Sequence, residues 1–125
     1  MENPSTLLVV DDLLTSKEFY IKALGANLEE EHDDGIKLKV AEHVLLMFQG
    51  SMTAVDYEHG YHACSTLVFT VDNLDEKIDE LKSYGVEFIH SSPNQNRWGR
   101  YAAFKAPCGI VHELMEYSSP FKTKA

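Results

Sequence analysis

The feature that most constrains this chain is an internal repeat. Val10-Asp11-Asp12-Leu13 is matched by Val71-Asp72-Asn73-Leu74, which begins 61 residues later. In both copies a short apolar run precedes the polar pair, and an amphipathic stretch follows it and stops at a glycine, Gly25 or Gly85. A repeat of this length is one supersecondary unit, which cannot bury its hydrophobic face alone. The sequence therefore predicts two similar modules.

Each copy predicts a strand, a helix and then three strands. In the first copy, Asp12 is a candidate N-cap, the helix begins near Leu13, and Gly25 ends it. The second copy offers Asn73 and Glu76 at capping-box spacing. The apolar and alternating segments predict strands at 5–10, 26–31, 36–41, 44–49, 66–71, 86–90, 100–106 and 110–117.

This order predicts an α+β fold of tandem βαβββ modules, in which a curved mixed sheet surrounds a concave cleft and the helices lie outside. Module one spans about 5–52, a polar loop about 53–63, module two about 64–117, and a C-terminal tail 118–125. A ferredoxin-like fold also pairs helices with an antiparallel sheet, but it uses βαβ units. The three strands after each helix disfavour it.

The composition excludes several classes of partner. Lys plus Arg total 11 against 20 Asp plus Glu, and the net charge of −9 disfavours nucleic acid and anionic membrane surfaces. A cationic small molecule and plain solubility both remain compatible with this charge. No run reaches the roughly 20 apolar residues of a membrane span, and the N-terminal residues do not resemble a signal peptide, so we expect a cytoplasmic protein. Cys64 and Cys108 make neither a disulfide framework nor a zinc site.

The last hairpin carries the most specific pattern. It contains Trp98-Gly99-Arg100-Tyr101-Ala102-Ala103-Phe104, Pro107-Cys108-Gly109 and Val111-His112. Together with the doubled modules, this run resembles the vicinal oxygen chelate superfamily of glyoxalases, bleomycin-resistance proteins and extradiol dioxygenases. It is most similar to the bleomycin-resistance branch, and the resemblance covers nearly the whole chain.

The resemblance also implies where a metal would bind. Members that are metalloenzymes have four ligand positions, and in this chain they hold Ser5, Leu46, Thr66 and Glu113. Serine, leucine and threonine do not replace the histidine or carboxylate ligands of a divalent ion. We therefore expect no metal cofactor. A divalent metal on an unconventional site stays open, with further candidate donors at His43, His59, His62 and His112.

The bleomycin-resistance resemblance implies a binding protein that confers antibiotic resistance. A homodimer would sequester a small, cationic aromatic molecule in a groove at the dimer interface. Trp98 would be the stacking platform, with Arg100, Tyr101 and Glu113 also binding the ligand. A packing role for Trp98 at the entrance of its strand fits the sequence equally well.

One departure bears on the ligand. The family's opposing aromatic residue follows an acidic pair in the first module, whereas Asp33-Asp34 in this chain is followed by Gly35 and Ile36. No aromatic side chain therefore stands at this point of the sequence, which argues against bleomycin itself.

The alternative is an enzyme of the lyase, isomerase or dioxygenase type. Glu113 would be the general base, and Arg97 or Arg100 would hold an anionic substrate group. Without a metal the family's chemistry loses its electrophile, and no Gly-x-Ser-x-Gly motif is present. We therefore expect binding rather than catalysis. His112 should point to the sheet face opposite Glu113, where it makes a structural hydrogen bond or faces the exterior.

Overall fold

The computed structural model describes residues 3–50 and 65–121, and these residues form two α-helices, nine strands and two short 3₁₀ turns. They fall into two compact units, one of residues 3–50 with 107–109 and one of residues 65–106 with 110–121. The α+β fold of tandem modules is confirmed. Neither helix in the described part of the chain is long and apolar enough to cross a membrane.

The first unit is a four-stranded mixed sheet with one helix. Its elements are β1 (Thr6–Val10), α1 (Leu13–Leu24), β2 (Asn27–Glu31), β3 (Gly35–Val40) and β4 (His43–Gln49). The strand order is β1-β4-β3-β2, and only the β1–β4 pair is parallel. α1 packs against β3 and β4, where alternate residues such as Leu38, Leu45 and Met47 are fully buried. One sheet face and the helix thus form the core of this unit.

The ends of α1 follow from local chemistry. The Asp12 carboxylate accepts a hydrogen bond from the Thr15 N–H at 3.0 Å, which lowers the pKa of Asp12. Gly25 has a φ of 67°, a left-handed conformation that glycine adopts without steric cost, and its N–H bonds to the Tyr20 carbonyl. The predicted start and end of this helix are therefore confirmed.

The second unit repeats this plan with one more strand. Its elements are β5 (Val68–Thr70), α2 (Leu74–Ser83), β6 (Glu87–Phe88), β7 (Asn94–Gln95), β8 (Gly99–Lys105) and β9 (Val111–Tyr117). The strand order is β5-β9-β8-β6, β7 also pairs with β8, and only the β5–β9 pair is parallel. α2 contacts β8 and β9 through its buried residues Leu74, Ile78 and Leu81.

The segment between α2 and β8 differs from the prediction in two details. The strand expected at 86–90 is only Glu87–Phe88, because the chain already bends from residue 89 towards Ser91-Ser92-Pro93, a sequence that favours a turn. The polar pair Asn94–Gln95 then forms β7, which pairs with Tyr101 and Arg100 of β8. Its residues have low strand propensity, so the strand depends on its partner and has no signal of its own.

Candidate functional site

Each sheet has one face against its helix and one face away from it, called the far face below. In the second unit, Phe104, His112 and Leu114 lie on the helix side and are buried there. Because side chains alternate along a strand, Tyr101 and Glu113 point to the far face. This alternation decides which predicted site residues can act together.

Glu113 lies almost buried on the far face of β9. Its exposed fraction is 6%, its register partners are Val68 on β5 and Ala103 on β8, and its N–H bonds to the Leu67 carbonyl at 3.0 Å. Tyr101 is two positions along β8 on the same face, opposite Met115. The structure therefore brings Tyr101 and Glu113 to one face.

Arg100 lies on the helix side, away from those two residues. Its guanidinium makes a two-pronged ion pair with Asp75 in the first turn of α2, with Nη1–Oδ2 at 3.1 Å and Nη2–Oδ1 at 2.9 Å. The hydrogen bonds lower the pKa of Asp75 and raise the pKa of Arg100. Arg100 and Tyr101, both predicted to bind the ligand, thus lie on different faces of the sheet, because consecutive strand residues point in opposite directions.

Trp98 presents its indole ring at the entrance of β8. The side chain is 49% exposed, while the backbone is held on both sides. Its N–H donates to the Asn96 side-chain oxygen at 2.9 Å, and its carbonyl accepts from the Ser118 N–H at 2.8 Å and the Ser118 hydroxyl at 3.1 Å. An aromatic ring therefore lies in solvent on a fixed backbone, together with its exposed neighbour Arg97.

His112 is a core residue. It is 1% exposed, and its ring makes an edge contact with Phe69 at 5.4 Å and a tilted contact with Phe104 at 5.8 Å between centroids. Burial lowers the pKa of His112 to about 4, so the ring is neutral at physiological pH. As expected, His112 and Glu113 point to opposite faces of the sheet, but the His112 side chain faces the helix and not the exterior.

The candidate metal donors do not converge in the described residues. His43 lies on the helix side of β4 with its Nε2 2.7 Å from the Thr6 hydroxyl, and His112 and Glu113 are on opposite faces of β9. His59 and His62 lie outside the described residues, as does Cys64. Within residues 3–50 and 65–121, no three His, Cys, Asp or Glu side chains are grouped closely enough to hold a metal ion.

The strand registers equate the family's ligand positions in the two units. Leu7 pairs with Leu46 in the parallel β1–β4 pair, and Val68 pairs with Glu113 in the parallel β5–β9 pair. Leu46 therefore occupies the place of Glu113 in its own unit. Ser5 and Thr66 are equivalent in the same way, each two residues before Leu7 or Val68. An apolar side chain and two hydroxyls do not fit a divalent metal.

The far face of the first unit has a group of apolar residues that motif analysis missed. Leu7 is 57% exposed, Val9 50% and Phe48 46%, with Leu46 half-buried beside them. These four residues of β1 and β4 are called the apolar strip below. The signal was present in the sequence, since β1 and β4 are apolar at consecutive positions, which is typical of strands covered on both faces.

Phe48 also supplies a ring next to the glycine that breaks the family pattern. Gly35 is its register partner on β3, and a methyl group on Gly35 would lie 3.2 Å from Phe48 Cδ1 and 3.3 Å from Cε1. The Phe48 ring therefore lies across the glycine backbone. Sequence inspection found no aromatic residue at this point because this one comes from the neighbouring strand.

Among the residues that the structure describes, two pockets lie on the helix sides of the sheets. One of about 360 Å³ lies at the start of α1, with Asp11, Asp12, Glu31 and Asp33 among its lining residues. The other, of about 170 Å³, lies between α2 and the β6–β7 connection, where Lys82 Nζ is 5.9 Å from the Phe88 ring centroid. Neither pocket contains a residue predicted to bind the ligand.

Comparisons with known proteins agree with this architecture. A curated relative, the uncharacterized protein YetH of Bacillus subtilis (strain 168), is 26% identical over 114 residues, covering 86% of this chain and 91% of YetH. Among solved structures, the fosfomycin resistance protein FosX of Listeria monocytogenes has a TM-score of 0.80 at 17% identity, with 98% of each chain covered. Lactoylglutathione lyase of Agrobacterium tumefaciens has a TM-score of 0.70 at 18% identity, with 92% of each covered. At such identities the structural likeness shows the fold alone.

The family follows from the sequence match itself. Residues 4–114, nearly the whole chain, match the model of the Glyoxalase/Bleomycin resistance protein/Dioxygenase superfamily. The two-module fold and the paired registers of its parallel strands are consistent with that match. The chain therefore belongs to the glyoxalase/bleomycin resistance protein/dioxygenase superfamily.

Proposed function

We propose that this protein binds and sequesters a small organic molecule without a metal at the family's four ligand positions. The observation that carries the proposal is the register that equates Leu46 with Glu113. Leucine offers no lone pair to a cation, and Ser5 and Thr66 at the other two positions are poor ligands. One remaining carboxylate is suited to hydrogen bonding or to pairing with a ligand cation.

The ligand class follows from the groups that remain. Glu113 is a nearly buried carboxylate, the net charge is −9, and Trp98 presents an exposed ring. These features favour a molecule with an aromatic part and a cationic or hydrogen-bond-donating group. The likeness to fosfomycin resistance proteins supports a role against a toxic small molecule. We further propose a cytoplasmic homodimer that binds neither nucleic acid nor membranes.

Metal analysis tests the first part of this proposal. Protein purified after growth with added zinc, manganese, iron and nickel should contain well below one metal ion per chain. As a matched control, the triple variant Ser5→His, Leu46→Glu, Thr66→His restores the family's ligand types and should retain more metal. A near-stoichiometric ion in the unaltered protein would overturn the metal-free proposal.

Ligand titration tests the second part. Trp98 is the single tryptophan, so quenching of its fluorescence by cationic aromatic compounds reports binding near it. Glu113→Gln should weaken binding by about ten- to a hundredfold, since a charge-assisted hydrogen bond contributes roughly 1.5–3 kcal/mol. Glu42→Gln, which removes a carboxylate that is 93% exposed, is the control and should change nothing. Equal affinities for all three proteins would remove Glu113 from the site.

A second candidate function is a lyase or isomerase that uses Glu113 as a base. The observation in its favour is that a carboxylate with 6% exposure shares one sheet face with Tyr101. In this case Glu113→Gln should abolish turnover while ligand affinity stays largely intact. The binding proposal expects the opposite pattern, so the same variant separates the two functions.

A further inference from the structure

A break in the edge of the second sheet creates the pocket beside α2. β6 ends at Phe88, opposite Phe104, and β7 begins at Asn94, opposite Tyr101. Between these pairs residues 90–93 form no strand with β8, and Ala102, which points to the helix side, contributes only a methyl group. A space of about 170 Å³ therefore remains between α2 and this connection.

One face of α2 brings two opposite charges to this space. Asp75, Ile78, Asp79 and Lys82 recur at the spacing of a single helical face, and all four line the pocket. The Asp75 carboxylate is already engaged by the Arg100 guanidinium, with Nη2–Oδ1 at 2.9 Å. The Asp79 carboxylate and the Lys82 ammonium group remain to meet a ligand.

Asp79 and Lys82 are neighbours on the helix but do not pair with each other. Side chains three positions apart have Cβ atoms about 5–6 Å apart, which is close enough for an ion pair. In the described part of the chain, however, neither group lies within ion-pair distance of an opposite charge. Lys82 Nζ is instead 5.9 Å from the centroid of the Phe88 ring. A ligand that carries one group of each sign would satisfy both side chains.

The two opposite charges select a zwitterion over a simple ion. Asp79 would repel a plain anion, and Lys82 would repel a plain cation. A metal ion is also disfavoured, since within residues 3–50 and 65–121 no three His, Cys, Asp or Glu side chains are grouped closely enough to hold one. Ser91 and Ser92, on the connection that closes the pocket, add hydroxyl groups that donate to a carboxylate or accept from an ammonium group.

The size of the pocket limits the ligand to a few atoms. A volume of about 170 Å³ holds roughly five or six water molecules, since each takes about 30 Å³ in the liquid. This suits a molecule of about six non-hydrogen atoms and excludes drug-sized compounds, whose sites have about 300–1,000 Å³. Ile78, Phe88 and Ala102 line the pocket with apolar atoms, which suit a short aliphatic side chain.

We infer that this pocket binds a small zwitterion of the α-amino acid type, such as alanine or serine. Asp79 accepts hydrogen bonds from the ammonium group, Lys82 donates to the carboxylate, and the short side chain lies against Phe88. The pocket contains neither Trp98 nor Glu113, and it shares no residue with the apolar strip. The inference therefore goes beyond the proposed function and is tested independently of it.

The experiment uses the complete isotope-labelled protein and L-alanine as the probe, and it follows the backbone amide shifts of α2 and of residues 88–92. These shifts should saturate below about 50 mM alanine, because so few ligand atoms give a weak affinity. Asp79→Asn and Lys82→Gln should each weaken binding by about three- to fivefold, the range of an ion pair that stays partly exposed. Glu76→Gln removes an exposed carboxylate of the same helix outside the pocket and should change nothing.

A charge exchange separates a ligand site from a general effect of charge. The double variant Asp79→Lys, Lys82→Asp keeps one charge of each sign and should bind alanine nearly as well as the unaltered protein. Acetate and ethylamine, which each carry one of the two ligand charges, should give no saturating shifts at the same concentration. Ser92→Leu fills the pocket from an exposed position, so it should abolish binding without disturbing the core.

Several outcomes would overturn the inference. Alanine would produce no saturating shifts, acetate or ethylamine would bind as well as alanine, or Asp79→Asn and Glu76→Gln would have equal effects. Unchanged binding in Ser92→Leu would place alanine elsewhere on the protein. Alanine shifts that weaken in both single variants and return in the double variant would support the site, whichever ligand Trp98 and Glu113 bind.

Discussion

The chemistry open to Glu113 depends on the direction its side chain takes from β9. Its neighbour His112 points to the helix side and is enclosed by Phe69 and Phe104. Arg100, which lies beside Tyr101 in sequence, is likewise turned to the helix side, where it pairs with Asp75. The far face of this hairpin thus carries Glu113 as its one carboxylate, together with Tyr101 and Lys105.

This placement predicts different results for two charge-removing variants. Arg100→Ala should lower the urea midpoint of unfolding only slightly, because exposed ion pairs contribute little to stability. It should leave ligand affinity unchanged, whereas Glu113→Gln weakens it. Asp75→Asn is the control for the pair and should behave like Arg100→Ala. If Arg100→Ala weakened ligand binding as much as Glu113→Gln does, Arg100 would have to contact the ligand.

His112 predicts a pH dependence of stability. Its pKa is about 4 in the folded chain and 6.5 in a model peptide, so below pH 6.5 the unfolded chain binds the proton more readily. Burial of the neutral His112 ring therefore contributes fully to the free energy of unfolding above pH 6.5. This contribution, about 3 kcal/mol, is lost as the pH falls through 4. Urea titrations between pH 7 and 4 should show a smaller decline for His112→Phe than for the unaltered protein. Parallel declines would contradict the assignment.

At the level of elements, the first residue of each helix donates its backbone N–H to a side chain of a strand, which adds a second cap to the N-terminus of the helix. The Leu13 N–H bonds to the Gln49 side-chain oxygen at 3.2 Å, and the Leu74 N–H bonds to the Glu116 carboxylate at 2.8 Å. Each cap comes from the last strand of its own unit. The repeat therefore preserves a long-range hydrogen bond from a backbone N–H to a side chain, although the accepting side chain is a glutamine in one unit and a glutamate in the other.

Gly99, at the start of β8, lies too close to the backbone of β9 to accept a side chain. An added methyl group would collide with the Glu116 carbonyl oxygen and lie 2.9 Å from Ser118 N, both of them backbone atoms. At Gly25 a methyl group meets nothing within 4 Å, and only the left-handed backbone opposes it. Gly99→Ala should therefore cost about 3 kcal/mol and Gly25→Ala about 1 kcal/mol. Thermal unfolding of both variants measures the difference, and an equal loss would show that β9 moves aside easily.

The elements also show how far sequence reasoning reaches. The start and end of α1 were predictable because Asp12 and Gly25 act through local hydrogen bonds and backbone conformation. β7 was not, since Asn94–Gln95 has no strand pattern and depends on pairing with β8. The family motif pointed to Glu113 and Trp98 as candidate site residues, but it could not tell which way Arg100 turns. The stacking of Phe48 on Gly35 is a contact across strands, which no linear motif contains.

At the scale of the whole molecule, the net charge of −9 acts on any approaching ligand. A cationic aromatic compound should associate faster than a neutral one of similar size, and salt should remove the advantage because it screens the field within about 10 Å at 0.1 M. Stopped-flow measurements with acridine orange should show a severalfold decrease in association rate between low and physiological salt. Prodan, which is neutral, should show none. Equal salt dependence of the two dyes would exclude steering by the field.

The paired caps of Gln49 and Glu116 have a consequence for amide exchange. The first N–H groups of a helix ordinarily have no partner within the helix and exchange quickly with solvent deuterium. In this chain the amides of Leu13 and Leu74 are bonded to side chains of β4 and β9, so their exchange should be slow. Each of these two amides then becomes a reporter on whether the last strand of its unit is in place. A ligand that stabilises one unit would slow the exchange of the amide in that unit, and the exchange of the amide in the other unit would serve as an internal reference.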